Sequence, residues 1–158
     1  MDWFVKRFIK ASLTWLGLGV TAGLTMAMHP AWIVYRPAHF HMNLAGFVAM
    51  MIFGVSYHVM PRIVGQPLYS SRLAGLHWWA ANLGLALMVT GFLLAPHVSR
   101  AATASLVTGG VLYAGGAYLF IFNLWRTIDG DWKAVTRAAP SPAEPASPQR
   151  RSLPIAEG

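Results

Sequence analysis

Apolar positions along the chain gather into four long blocks, at residues 8–28, 38–60, 73–95 and 102–125, with short polar breaks between them. Each block is close to the ~20 residues that a helix needs to cross the hydrocarbon core of a bilayer. Backbone groups find no water there, so the blocks are expected as helices. Short connections predict an all-α fold, an integral-membrane four-helix antiparallel bundle over residues 1–137.

Small residues show where the helices should approach. Gly19 and Gly23 form a GxxxG pair, the fourth block carries Gly109 with Gly110 and Gly115 with Gly116, and one face of the third carries His77, Ala81, Gly84, Met88, Gly91 and Ala95. Glycine and alanine allow helix backbones to come close in lipid. Residues 138–158, rich in Pro, Ala and Ser, have little to bury and are expected as a disordered tail. The first block is too long for a signal-peptide core and lacks a small-x-small site at its end, so it is read as a span.

Composition agrees with this pattern: 56% of the 158 residues are hydrophobic, 11% are charged, and the mean hydropathy is +0.48. The formal charge of +7 is distributed unevenly. Lys6, Arg7, Lys10, Arg62, Arg72, Arg126, Lys133, Arg137, Arg150 and Arg151 fall on one side of the four-span topology, and only Arg36 and Arg100 fall on the other. The positive-inside rule then puts both termini and the middle loop in the cytoplasm. The charge is thus a topology and lipid-surface signal, and no nucleic-acid partner is expected. Cysteine is absent. This excludes disulfides, thiolate metal sites and thioether-linked haem, leaving His, Met or oxygen to hold any cofactor.

Six histidines are the candidate chemistry. His39 and His41 project from nearly opposite sides of one helix, at about 100° per residue. The face of His39 continues through Met42, Asn43, Gly46, Met50, Phe53 and Tyr57 and suits an interior or a flat ligand. The face of His41 continues through Ala45, Val48, Ile52, Val55 and Val59 and suits lipid. His58 is about 28 Å further along the helix than His39, so the two cannot hold one cofactor. By depth, His29, His39, His41 and His97 group at the outer surface and His58 and His77 at the cytoplasmic ends. Histidine within a span is costly unless paired or ligated.

"RPAH" opening the second span, "YHVMPR" closing it, and "LHWWAANLG" starting the third resemble the early spans of subunit I of haem-copper oxidases, closest to the C-family oxidases and nitric-oxide reductase. The resemblance covers residues 35–95. It implies a bacterial inner-membrane protein holding haem b, with His39 as axial ligand, His41 as the competing alignment and His97 as a candidate second ligand. Asn43, Gly46 and Met50 would line the haem, while His58 and His77 are secondary candidates. It further implies electron transfer in a respiratory or denitrification chain, with a second copy or other respiratory-chain subunits as partners. No cluster of histidines follows the second span, so oxygen reduction is not expected from this chain alone. Two other readings stand beside it. Met26, His29, His39, His41 and Met42 bring soft ligands to one surface, as a copper-handling protein would. Alternatively, the small-residue faces dock a cofactor-free assembly subunit onto a larger oxidase.

Overall fold

The computed structural model describes residues 2–130, which form helices joined by short connections, with no strand among the described residues. Helix α1 is Trp3–Met28. A 3-10 segment, Pro30–Tyr35, leads into α2 (Arg36–His41), a π-helical segment (Met42–Ala49) and α3 (Met50–Ile63). These four pieces run on as one span, Pro30–Ile63, and the chain returns through α4 (Ser71–Leu94) and α5 (Ser99–Asp129). Four helical runs are therefore long and apolar enough to cross a membrane. The all-α expectation is met, and the tail at 138–158 lies outside the described residues. α1 starts before its apolar block and α5 runs past both ends of its own, because each added residue contributes a hydrogen bond once a helix has nucleated, and the ends at the middle loop are fixed by caps.

Two such caps organise the middle loop. Gly65 takes φ +66. Its N–H donates to the Arg62 carbonyl (3.3 Å) and that of Gln66 donates to the Pro61 carbonyl (2.9 Å), the paired bonds of a Schellman stop. Ser70 then caps α4, its hydroxyl accepting from the Leu73 N–H at 3.3 Å. Asn123 and Thr127, both fully buried on α5, pin the loop. Asn123 accepts from the Ser70 N–H (3.0 Å) and donates to the Ser70 carbonyl (2.8 Å), while Thr127 accepts from the Tyr69 N–H (3.0 Å).

The expected glycine face of α4 is the seam with α5, in antiparallel register. A Cβ at Gly84 would stand 2.6 Å from the Tyr113 nitrogen, one at Gly109 the same distance from the Gly84 carbonyl oxygen, and one at Gly91 3.0 Å from the Ala102 carbonyl oxygen. Backbone cannot yield at 2.6 Å, so Gly84 and Gly109 admit glycine only, while at Gly91 a Cβ would also press on the Leu106 side chain at 2.7 Å. Gly110 and Gly115 meet nothing within 4 Å and take no part in the seam. Outside the bundle, Leu18, Leu24, Ile52, Val107 and Val111 are exposed, the apolar exterior that lipid requires. At the cytoplasmic end of the predicted topology, the Arg7 guanidinium lies over Trp3 (4.9 Å) and Trp78 (5.3 Å).

Nothing in the hydropathy pattern announces the π segment. At its start the Asn43 side-chain amide donates to the His39 carbonyl four residues back at 2.8 Å, a bond that Asn82 also makes to Trp78 within the regular helix α4. Across the bundle, the Tyr113 hydroxyl donates to the Ala45 carbonyl inside this segment at 2.9 Å, tying α5 to it. Such segments are frequent at functional sites.

Candidate functional site at the outer end of the second span

The glycine pair of α1 does something other than bring two backbones together. A Cβ at Gly19 would fall 2.5 to 2.8 Å from the Asn43 carboxamide, and one at Gly23 would fall 2.9 Å from His39 Cε1. Two glycines four residues apart thus make a slot for a histidine and an asparagine four residues apart on the antiparallel neighbour. Within it, Nδ1–H of half-buried His39 donates to the Gly19 carbonyl at 2.8 Å. A carbonyl can only accept, so this bond puts the proton on Nδ1, and the Asn43 amide nitrogen, 3.3 Å from the same Nδ1, gives its hydrogen to the His39 carbonyl at 2.8 Å. The backbone of one helix therefore fixes both the ring and its tautomer on another, the arrangement that orients metal-ligating histidines.

His41 is held differently. Its Nδ1–H donates to the Pro37 carbonyl of its own helix (2.8 Å) and its ring lies on Phe92 of α4 at 4.5 Å between centroids. The residue is half-buried, and a small apolar hollow of about 190 Å³, lined also by exposed Phe40 and Leu44, opens beside it. Below it, Val48, Ile52, Val55 and Val59 are exposed as expected. His39 and His41 do serve opposite sides of the span. Met42, Gly46, Met50 and Tyr57, from the face assigned to His39, are buried.

The remaining histidines are scattered. His97 is exposed in the α4–α5 connection, its Nε2 3.0 Å from the Tyr35 hydroxyl, and His29 lies exposed against Trp32. His58 has Nδ1 3.0 Å from the Arg62 guanidinium, which also donates to the His58 carbonyl. His58 and His77 are not paired. His77 is fully buried among Phe53 (4.6 Å), Phe8 (4.8 Å), Phe120 (5.5 Å) and Tyr57, whose hydroxyl lies 3.1 Å from its Nδ1. Its Nε2 has no hydrogen-bond partner among the described residues. The sequence placed His77 on a glycine face without showing this aromatic cage, which three other helices, α1, α3 and α5, assemble around it.

Among the described residues, no three His, Asp or Glu side chains converge as a metal site. Met26 and Met42 line one outer cavity, but no imidazole joins them there. The candidate donors at this end are therefore single imidazoles.

The chain is similar in sequence to known proteins. The family described as Cytochrome C and Quinol oxidase polypeptide I matches residues 33–130, from the 3-10 segment through the whole of α5. The chain belongs to that family. It is 26% identical to cytochrome c oxidase subunit 1 of Rhodobacter capsulatus over 89% of this chain and 32% of the relative. It is 23% identical to the Cbb3-type cytochrome c oxidase subunit CcoN1 of Stutzerimonas stutzeri, over 78% of this chain and 32% of the relative. For cytochrome c oxidase polypeptide 1 of Halobacterium salinarum the identity is 30%, over 78% and 23% respectively. The chain spans about a third or less of the length of these relatives. It is a multi-pass, oxidase subunit I-like membrane protein.

Proposed function

We propose that this chain is a b-type haem-binding membrane subunit that passes electrons within a respiratory or denitrification chain, with His39 as the axial ligand. The observation that carries the reading is the His39 imidazole held through Nδ1–H by the Gly19 carbonyl, in a slot that a Cβ at Gly19 or Gly23 would fill. Haem, when bound, supplies a one-electron couple. The chain's own residues do the rest. Gly19 holds the ring proton on Nδ1 and so leaves Nε2 for iron. Gly23 allows the ring to lie flat on α1, and Asn43 fixes the helix turn from which His39 projects. Met42, Gly46 and Met50 keep water from the span beneath. One imidazole serves this face, so the second axial position falls to a residue outside it: His97, a second copy or another oxidase subunit.

A second reading rests on the hollow beside His41, whose Nδ1 is also engaged and whose Nε2 is equally suited to iron. The two imidazoles face different neighbours, so they are alternatives. A reduced-minus-oxidised optical spectrum of the purified protein, of His39→Ala and of His41→Ala separates them. Low-spin haem bands lost in His39→Ala and retained in His41→Ala are the expected outcome. The reverse assigns the ligand to His41. A wild-type protein from haem-sufficient cells with no haem band, or with copper instead, overturns the reading.

A further inference from the structure

The buried positions of the second span repeat every fourth residue: Ala38, Met42, Gly46, Met50 and Gly54. At about 100° per residue, an α-helix would carry such a line about 40° round at each step and about 160° between Ala38 and Gly54. The π segment Met42–Ala49 takes up this drift, because its turns hold more residues than α turns do. The consequence falls on the neighbour of Ala38. His39 lies eleven residues before Met50 and eighteen before Tyr57, about three and five whole α turns, so a regular helix would aim its imidazole into the core with them. In the structure the methyl of Ala38 is buried there instead, and the His39 ring lies on α1 with Nδ1 2.8 Å from the Gly19 carbonyl oxygen.

The segment is held from across the bundle. π spacing would give the Ala45 carbonyl the Met50 N–H, but that donor goes to the Phe47 carbonyl. The Tyr113 hydroxyl of α5 takes the open place at 2.9 Å. We infer that the π segment, held by Tyr113, is the positioning device that turns His39 out of the core and into its slot on α1. That it thereby orients an iron ligand rests on the reading of His39 given above; the orientation itself does not.

The chain has no cysteine, so introduced pairs report which faces meet. Asn43 Cγ stands 2.8 Å from a Cβ built at Gly19, and Ile9 Cγ1 stands 3.4 Å from one at Gly54, so cysteine sulfurs in their place are within disulfide reach of α1 and α3 partners. Gly19→Cys with Asn43→Cys, at the start of the segment, and Ile9→Cys with Gly54→Cys, beyond its end, should both link on mild oxidation of the whole chain in nanodiscs. An α-helix makes the same turn with about one residue fewer, so both pairs should still link after deletion of Leu44, an exposed residue of the segment. Insertion of one alanine after Leu44 should lose one of the two links. Should the Leu44 deletion fail to fold, deletion of exposed Val48 makes the same test. Tyr113→Phe should shift the unfolding equilibrium about two- to tenfold at the original length and leave the deletion variant unchanged, where a regular helix serves the Ala45 carbonyl itself. Loss of either link in the deletion, retention of both in the insertion, or an equal effect of Tyr113→Phe at both lengths overturns the proposal. Links that behave as expected in a protein with no haem band uphold the orientation and remove only the ligand reading.

Discussion

Gly17 and Gly23 lie on one helix within two turns, and alanine at each should act in a different way. At Gly17 a Cβ meets nothing within 4 Å, so Gly17→Ala should retain haem and stabilise α1 by up to about 1 kcal/mol, the helix preference of alanine over glycine. At Gly23 the same preference is offset by a Cβ 2.9 Å from His39 Cε1 and 3.4 Å from Nδ1. Overpacking costs about 1–3 kcal/mol where neighbours are fixed, and the lower end applies because a side-chain ring can yield. Stability should therefore change little, and the strain should go into the ring. A shifted ring loses its 2.8 Å bond to the Gly19 carbonyl, an interaction of roughly 0.5–1.5 kcal/mol. Since 1.4 kcal/mol corresponds to tenfold in binding, haem affinity should fall by up to about tenfold. Soret titration of the haem-depleted protein, with thermal melts in the same detergent, reads both quantities. Equal haem affinity in Gly17→Ala and Gly23→Ala would show that the slot does not position the ligand.

Asn123→Ala removes both bonds to the Ser70 backbone and should lower stability by about 2 kcal/mol, with the haem spectrum unchanged; an unaltered melt contradicts the pinning role. His77→Ala empties a packed aromatic cage and should cost about 3–5 kcal/mol, as loss of a large ring does, whereas His77→Phe keeps the packing and removes one contact of the Tyr57 hydroxyl, which retains Asn123, about 0.5–1.5 kcal/mol. Haem per chain should be at most one and the same in both variants; a ratio near two that falls to one in His77→Ala refutes this. Reporter fusions at residues 66 and 140 should both read cytoplasm, and a periplasmic signal at either breaks the charge-based topology.

Hydropathy alone located the four spans, because lipid forces every backbone group into a helix and leaves little freedom. The α4–α5 seam was legible for the same reason: Gly84, Gly91 and Gly109 stand where backbones touch, and small residues in lipid have few other uses. What a single helix cannot show is which neighbour each face meets. The Gly19–Gly23 pair announced close approach, yet the approaching groups are side chains, His39 and Asn43. The matching four-residue spacing of the two pairs was the available signal. Asn43 gave no such signal for the π segment, because Asn82 makes the same bond to the carbonyl four residues back within the regular helix α4. The aromatic cage of His77 had no local signal, since Phe8, Phe53, Tyr57 and Phe120 meet only after three long-range packings.

His39 and His41 differ in one physical respect that bears on ligand choice. The His41 proton goes to Pro37, four residues back on the same helix, a bond that any isolated helix of this sequence can make. The His39 proton goes to Gly19, twenty residues away, and exists only when α1 and the second span are packed in register. A ligand oriented locally is free to turn as its helix end frays. One oriented across an interface holds its angle as long as the bundle holds, and a haem ligand benefits from the second kind because ring orientation tunes the iron. The same logic makes His39 sensitive to α1 and His41 indifferent to it. Substitution at Gly23 should therefore disturb the haem spectrum only if His39 is the ligand, and substitution at Phe92 only if His41 is.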